Sequence, residues 1–171
     1  MKTLWLIGGP MGVGKSSAAL ALRERLPRCV YLDGDWCWDA RPFVVNAETK
    51  AMVMKNIRFL LRSFLECSEY ENVVLAWVMH EQGILDALTD GLPGCRVITV
   101  SLVCSEPELE RRIRKDEAAG LRAPGTFERA RAYLPLYADL RTIKLDTTGL
   151  STAEAAEKIA GLSEFDRGFI K

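Results

Sequence analysis

The chain has 171 residues, with 23 basic and 23 acidic side chains and a formal net charge of zero. That length supports one domain with a full core but not two comfortable ones. Balanced charge speaks against a nucleic-acid partner, which needs an excess of basic residues, and no apolar run is long enough to span a bilayer. The five cysteines (Cys29, Cys37, Cys67, Cys95 and Cys104) are odd in number, scattered and without a C-x-x-C pair. They fit neither a disulfide framework nor a zinc site, so a reducing cytoplasm is the expected compartment. No internal repeat or low-complexity segment interrupts the chain.

Residues 3–7 (Thr-Leu-Trp-Leu-Ile) predict a buried strand rather than a signal peptide. The loop that follows, Gly8-Gly9-Pro10-Met11-Gly12-Val13-Gly14-Lys15-Ser16-Ser17, fits G-x-x-x-x-G-K-[ST] at Gly9, Gly14, Lys15 and Ser16. An alanine- and leucine-rich helix is expected over 17–26. Strand, glycine-rich loop and helix in that order are the setting in which the motif binds phosphate. Glycines let successive N–H groups turn inward on phosphate oxygens, and the helix adds its free N–H groups and positive dipole end. The expected cradle is Gly9, Gly12, Val13, Gly14, Lys15, Ser16 and Ser17. Lys15 would reach the β- and γ-phosphates, and the Ser16 hydroxyl suits Mg²⁺, a hard cation that takes oxygen ligands.

Residues 29–32 predict a second strand, ending in Asp33-Gly34-Asp35. Ligands in open α/β sheets bind beyond the carboxyl ends of strands, so both acids are expected near the phosphate loop. Positions two apart on extended chain point the same way, toward one Mg²⁺ and one substrate. The plain alternative is a polar Asp-Gly turn. Trp36, Trp38, Arg41 and Phe43 come next, and either line an acceptor pocket or pack the loop onto the domain.

An amphipathic helix is expected over 46–69, with Met52, Val53, Ile57, Leu60, Leu61, Phe64 and Leu65 at helical spacing. Residues 73–79 predict a third buried strand, ending in His80-Glu81-Gln82. No aspartate stands there for a metal, so Glu81 or the Asp33/Asp35 pair would take that work. His80, the only histidine, reads as structural or as a site residue. A short helix over 83–92 and a fourth strand over 96–103 follow. Ser105 and Glu108 have capping-box spacing and Pro107 suits a first turn. The helix behind them carries Arg111, Arg112, Arg114 and Lys115, with Arg122 just beyond it. This predicts a lid at about 110–128 that closes on phosphates, against the alternative of a solvated charged face. Leu109 and Ile113 mark its buried side, which favours Arg112 and Arg114 as the arginines that reach in. A helix over 126–137, a fifth strand over 142–145 ending in Asp146-Thr147-Thr148-Gly149, and a helix capped by Ser151 complete the chain. Residues 161–171 carry no signal and are expected to be loosely held.

The phosphate loop, Asp33-Gly34-Asp35, the arginine-bearing lid helix and Asp146-Thr147-Thr148 occur here in one order. Together the chain resembles the P-loop small-molecule and nucleotide kinases, in particular the shikimate and gluconate kinase-like group and related antibiotic phosphotransferases. The resemblance implies an α/β three-layer sandwich: a five-stranded parallel sheet in order 2-3-1-4-5 with helices on both faces. It implies ATP and Mg²⁺ as cofactors, a small-molecule hydroxyl acceptor, and a monomer or homodimer in a single domain over 1–171. Ser16 and Asp33 would hold Mg²⁺, and Asp35 would face the acceptor hydroxyl as base or orienter. Lys15 and Arg112 or Arg114 would neutralise phosphoryl charge, and Thr147 and Thr148 would lie near the adenine. Where shikimate kinases have a glycine-rich turn after the third strand, His80-Glu81-Gln82-Gly83 stands here. The tryptophan-flanked acids suggest a flatter, more apolar acceptor, nucleoside-like or an antibiotic. The rival readings are a nucleotide-dependent switch, a nucleic-acid end kinase and an idle binding protein. The switch lacks its motifs: there is no Asn/Thr-Lys-x-Asp and no Asp-x-x-Gly after the third strand.

Overall fold

The computed structural model describes residues 1–165. Its strands are β1 (Thr3–Gly8), β2 (Cys29–Asp33), β3 (Asn72–Ala76), β4 (Arg96–Val103) and β5 (Ile143–Asp146). All pair in parallel, in the order β2-β3-β1-β4-β5. The helices are α1 (Lys15–Arg25), α2 (Ala47–Glu66), α3 (Gln82–Thr89), α4 (Glu106–Ala118), α5 (Thr126–Tyr133) and α6 (Thr152–Phe165). Short 3-10 turns occupy Gly34–Trp38 and Leu134–Tyr137.

Alternation along β1 divides the core. Trp5 and Ile7 point into one layer, with Ala18, Ala19 and Leu22 of α1, Leu109 and Ile113 of α4, and Ala156 and Ile159 of α6. Leu4 and Leu6 point into the other, with Val53, Ile57 and Leu61 of α2 and Leu85 and Leu88 of α3. A strand apolar on both faces needs a helix layer on each, and this one has both. The expected sandwich and strand order are therefore those observed.

Several local expectations are corrected. β3 stops at Ala76 rather than at residue 79. Met79, buried, takes φ 39°, a left-handed conformation that side chains avoid, and the chain leaves the sheet around it. The Ser105 capping box does not form, because Glu108 is bonded to Arg111 and Arg112 instead. Ser151 does cap α6: its Oγ accepts from the Glu154 N–H at 3.2 Å, and Glu154 Oε2 accepts from the Ser151 N–H at 2.8 Å. α6 continues to Phe165, past the expected end at residue 160. Of the tail expected to be loosely held, residues 166–171 lie outside the described residues.

One buried polar bridge ties the N-terminal ends of the strands together. The Trp5 indole donates to Asn72 Oδ1 at 3.1 Å, and Asn72 Nδ2 donates to Pro27 O at 2.8 Å. Asn72→Leu leaves an indole N–H and a carbonyl unpaired, a cost of about 1–3 kcal/mol. In a domain of this size each kcal/mol lowers Tm by about 2–4 °C. Thermal unfolding of the variant is expected to show that loss; an unchanged Tm would mean that water replaces the asparagine.

Candidate active site

The site lies at the carboxyl edge of the sheet, where β1 and β2 deliver their loops and β3 runs between them. At the first of these loops, Gly14 is the N-cap of α1 with φ 101°, a value open to glycine and costly for other residues. Nothing lies within 4 Å of where its Cβ would stand, so the loop is open on that side. The first intrahelical bond runs from the Ala18 N–H to Gly14 O. The N–H groups of Lys15, Ser16 and Ser17 therefore have no helical acceptor, no side chain caps them and no acid stands in the first turn. Such an end suits an anion. Gly9 and Val13 spend their own N–H groups on Val78 O and Pro10 O, both at 3.4 Å, and so brace the loop. Gly12 lies against Ile113 of α4. The Lys15 ammonium donates to Pro10 O at 2.9 Å, folded across the loop. Desolvation lowers its pKa to about 8, opposed by the charge of Asp35.

Asp33, at the end of β2, is the junction of the site. Its Oδ2 accepts from Ser16 Oγ at 2.8 Å and from the Tyr31 hydroxyl at 2.9 Å, while Oδ1 accepts from the Asp35 N–H at 3.1 Å. The structure thus brings Ser16 and Asp33 together. A hydroxyl and a carboxylate oxygen side by side are the hard donors that Mg²⁺ takes, so the pair fits that ion. Tyr31 was not foreseen. It sits two residues before Asp33 on the same strand face, the spacing that could have revealed it.

Asp35 opens the 3-10 turn. Burial raises its pKa above the ordinary carboxylate value, Asp33 adds repulsion, and Lys15, Arg122 and a hydrogen bond from Trp77 oppose the rise. Trp77, one more apolar residue of the run over 73–79 in the sequence, packs in the core and also reaches this turn. Its indole lies so close to Gly34 that a Cβ there would be 2.4 Å from the ring. Asp35, Trp36, Trp38, Asp39, Phe43 and Trp77 line a cavity of about 420 Å³. Trp36 is 66% exposed and Phe43 60%, so neither ring is spent on the core. Arg41 is exposed and does not line this cavity. Cys37 lies half-buried beside it, and desolvation raises its pKa, which favours an inert thiol over a reactive one.

The expected arginines are distributed differently from their sequence spacing. Arg112 faces the far side of the phosphate loop. Its guanidinium donates to Val13 O at 2.8 Å, to Thr147 O at 2.7 Å, to Thr147 Oγ1 at 3.1 Å and to Glu108 at 2.7 Å. With Gly14, Ser17 and Ser151 it lines a second cavity of about 180 Å³. Thr147 lines this cavity too, whereas Thr148 does not: its Oγ1 accepts from the Ser105 N–H at 2.9 Å. Arg111 and Arg112 together hold Glu108 at a pKa of about 2. Arg114 is half-exposed, pairs with Glu110, Glu117 and Glu128, and lies over the Phe127 ring. The structure does not bring it to the loop. Arg122, held to Asp116 at 2.8 Å, is instead close enough to act on both Lys15 and Asp35. Helix periodicity favoured Arg112 and Arg114, but Arg122 is in the turn after α4, where periodicity says nothing. His80 lies 3.2 Å from Glu81 and stacks at a tilt on Tyr133, its Nδ1 without a partner. Neither His80 nor Glu81 bonds to Ser16, Asp33 or Lys15 among the described residues.

Because a polyanion at the loop favours the protonated Lys15, affinity for a non-hydrolysable ATP analogue is expected to fall as pH rises through about 8. Lys15→Met should weaken binding and remove that dependence. Titration calorimetry from pH 6.5 to 9.5 checks both, and a flat wild-type profile would place the ammonium away from the phosphates.

No curated protein sequence matches the chain. Solved structures do match its fold. The tunicamycin resistance protein of Deinococcus radiodurans superposes with a TM-score of 0.72 at 21% identity, over 95% of this chain and 96% of that one. A gluconokinase from Sinorhizobium meliloti 1021 gives 0.71 at 22% identity, over 97% and 94%. The shikimate kinase of Acinetobacter baumannii, in complex with shikimate, gives 0.65 at 20% identity, over 97% and 94%. The profile of the family described as AAA domain matches residues 6–128, which span the phosphate loop, Asp33, Asp35 and the α4 turn. With that match and the sheet order of the P-loop kinases, the chain belongs to this AAA domain family and has the P-loop kinase fold.

Proposed function

We propose that the protein is an ATP- and Mg²⁺-dependent phosphotransferase that moves the γ-phosphoryl group to a hydroxyl of a small ring-bearing molecule. The observation that carries this reading is the position of Asp35. It lines the aromatic cavity and is electrostatically coupled to Lys15 of the phosphate loop. A phosphate site and an acceptor-sized cavity thus share one carboxylate. The printed name of the Deinococcus neighbour, a tunicamycin resistance protein, supports a nucleoside-like or antibiotic acceptor.

In this mechanism the residues position groups and hold charge more than they bond covalently. Asp35 accepts the proton of the acceptor hydroxyl as its oxygen bonds to the γ-phosphorus, while the bond to the β–γ bridging oxygen breaks and ADP leaves. Burial, which raises its pKa, makes it a stronger proton acceptor than an ordinary carboxylate. Lys15 and Arg122 face the transferring group. Ser16 and Asp33 would hold Mg²⁺, which supplies charge neutralisation across the phosphates. Tyr31 keeps the Asp33 carboxylate turned toward Ser16. Arg112 and Thr147 bound the cleft for the adenine. The turn between α4 and α5 serves as a lid over the loop.

Asp35→Asn is expected to lower kcat by about 100-fold or more with ATP affinity little changed. Arg122→Ala should cost about 100-fold in kcat, Arg114→Ala almost nothing, and Arg112→Ala about tenfold in KM for ATP. Tyr31→Phe should raise the Mg²⁺ concentration needed for half-maximal rate. The deciding assay follows γ-labelled ATP with a panel of nucleosides, antibiotics and polyols. Label on a ring-bearing alcohol supports the proposal. Label only on acyclic polyols, or only on free phosphate, would overturn it.

A further inference from the structure

The cavity beside Asp35 has a chemical bias that the kinase reading does not require. Four of its six lining side chains are aromatic, two are aspartates, and none is a lysine, arginine or histidine. The two cations that act on Asp35, Lys15 and Arg122, belong to the phosphate loop and the α4–α5 turn, and neither lines it. Arg41, in the same connection as Phe43, is exposed and absent from the lining.

The rings pack on one another along the wall. Trp38 and Phe43 lie 4.8 Å apart at a tilt of 41°, and Trp36 meets Tyr31 edge-on at 5.6 Å. Trp77 is buried and lies flush against Gly34. The lining is thus aromatic and carboxylate in composition, with Asp39 exposed. An anionic acceptor entering here would find no cation in the lining and would meet two carboxylates. A protonated amine would find both a ring face and a carboxylate.

The geometry points to an acceptor that is a ring-bearing alcohol with a cationic amino group, and to a cavity that discriminates against anionic alcohols such as hydroxy acids. This rests on the cavity being the acceptor site, as proposed above. It names the charge class that the site selects.

Binding can be read without nucleotide, which separates this inference from the kinase assignment. Three of the four tryptophans (Trp36, Trp38 and Trp77) line the cavity, and the fourth, Trp5, is buried in the core. Intrinsic fluorescence therefore reports largely on this site. The probes are three phenyl carbinols that differ in one substituent: 2-amino-1-phenylethanol (cation), 1-phenylethane-1,2-diol (neutral) and mandelate (anion). The expected order of affinity is amine, then diol, then mandelate, with the amine about tenfold tighter than mandelate. Asp39→Asn, at an exposed position, should shrink the amine-to-mandelate ratio and leave the circular dichroism unchanged. Mandelate binding as tightly as the amine, or a ratio unmoved in the folded variant, would overturn the inference. Stabilisation by an ATP analogue is measured separately by thermal shift. Its absence would overturn the kinase reading while leaving the order of the probes to stand on its own.

Discussion

The site hangs on one carboxylate. Asp33 accepts from Ser16 on α1, from Tyr31 on its own strand and from the backbone of Asp35 in the turn beyond. These bonds tie the glycine-rich loop to the turn after β2, two segments that arise from different strands. Parallel pairing makes this possible: β3 lies between β1 and β2, so the two loops leave the same edge with one strand between them. Trp77, in the gap just beyond β3, fills it with an indole. Remove the carboxylate and the turn loses its N-cap together with its tie to Ser16.

Around that junction, burial and charge act in opposition on two neighbours. Desolvation lowers the pKa of Lys15 and raises that of Asp35, while each charge pulls the other back toward ionisation. Neither group is comfortable alone. An acid that resists ionisation and a base that resists protonation are the pair from which proton acceptance and phosphate binding near neutral pH can be built.

Much of this was legible in the chain. The glycine-rich loop with Lys15 and Ser16 names its own structure, because its residue types are set by backbone geometry at consecutive positions. β1, β4 and the core stripe of α2 declare themselves through apolar run and period. What was hidden depends on strand order and on turns. Trp77 reads as one more core residue until β3 is placed beside β2. Tyr31 gains its role only when α1 brings Ser16 to the same oxygen. Periodicity on α4 sorts buried from exposed positions, but it is silent about where the following turn swings Arg122. Glu108 has the spacing of a cap, and two arginines outcompete the backbone N–H for it.

The contacts of Arg112 have a wider consequence. Its guanidinium joins the glycine-rich loop, α4 and the β5 turn through acceptors around the cavity that Gly14, Ser17 and Ser151 line. The aromatic turn on the opposite side touches Trp77 and its own rings. The two cavities have no lining residue in common, and the segments that bear them meet through Tyr31, Asp33 and Asp35. Substitutions at the exposed rings Trp36 and Phe43 therefore change the lining of the aromatic cavity at positions that do not touch the Arg112 contacts. A scaffold divided in this way is a modular one, in which new specificities arise by substitution along one short connection.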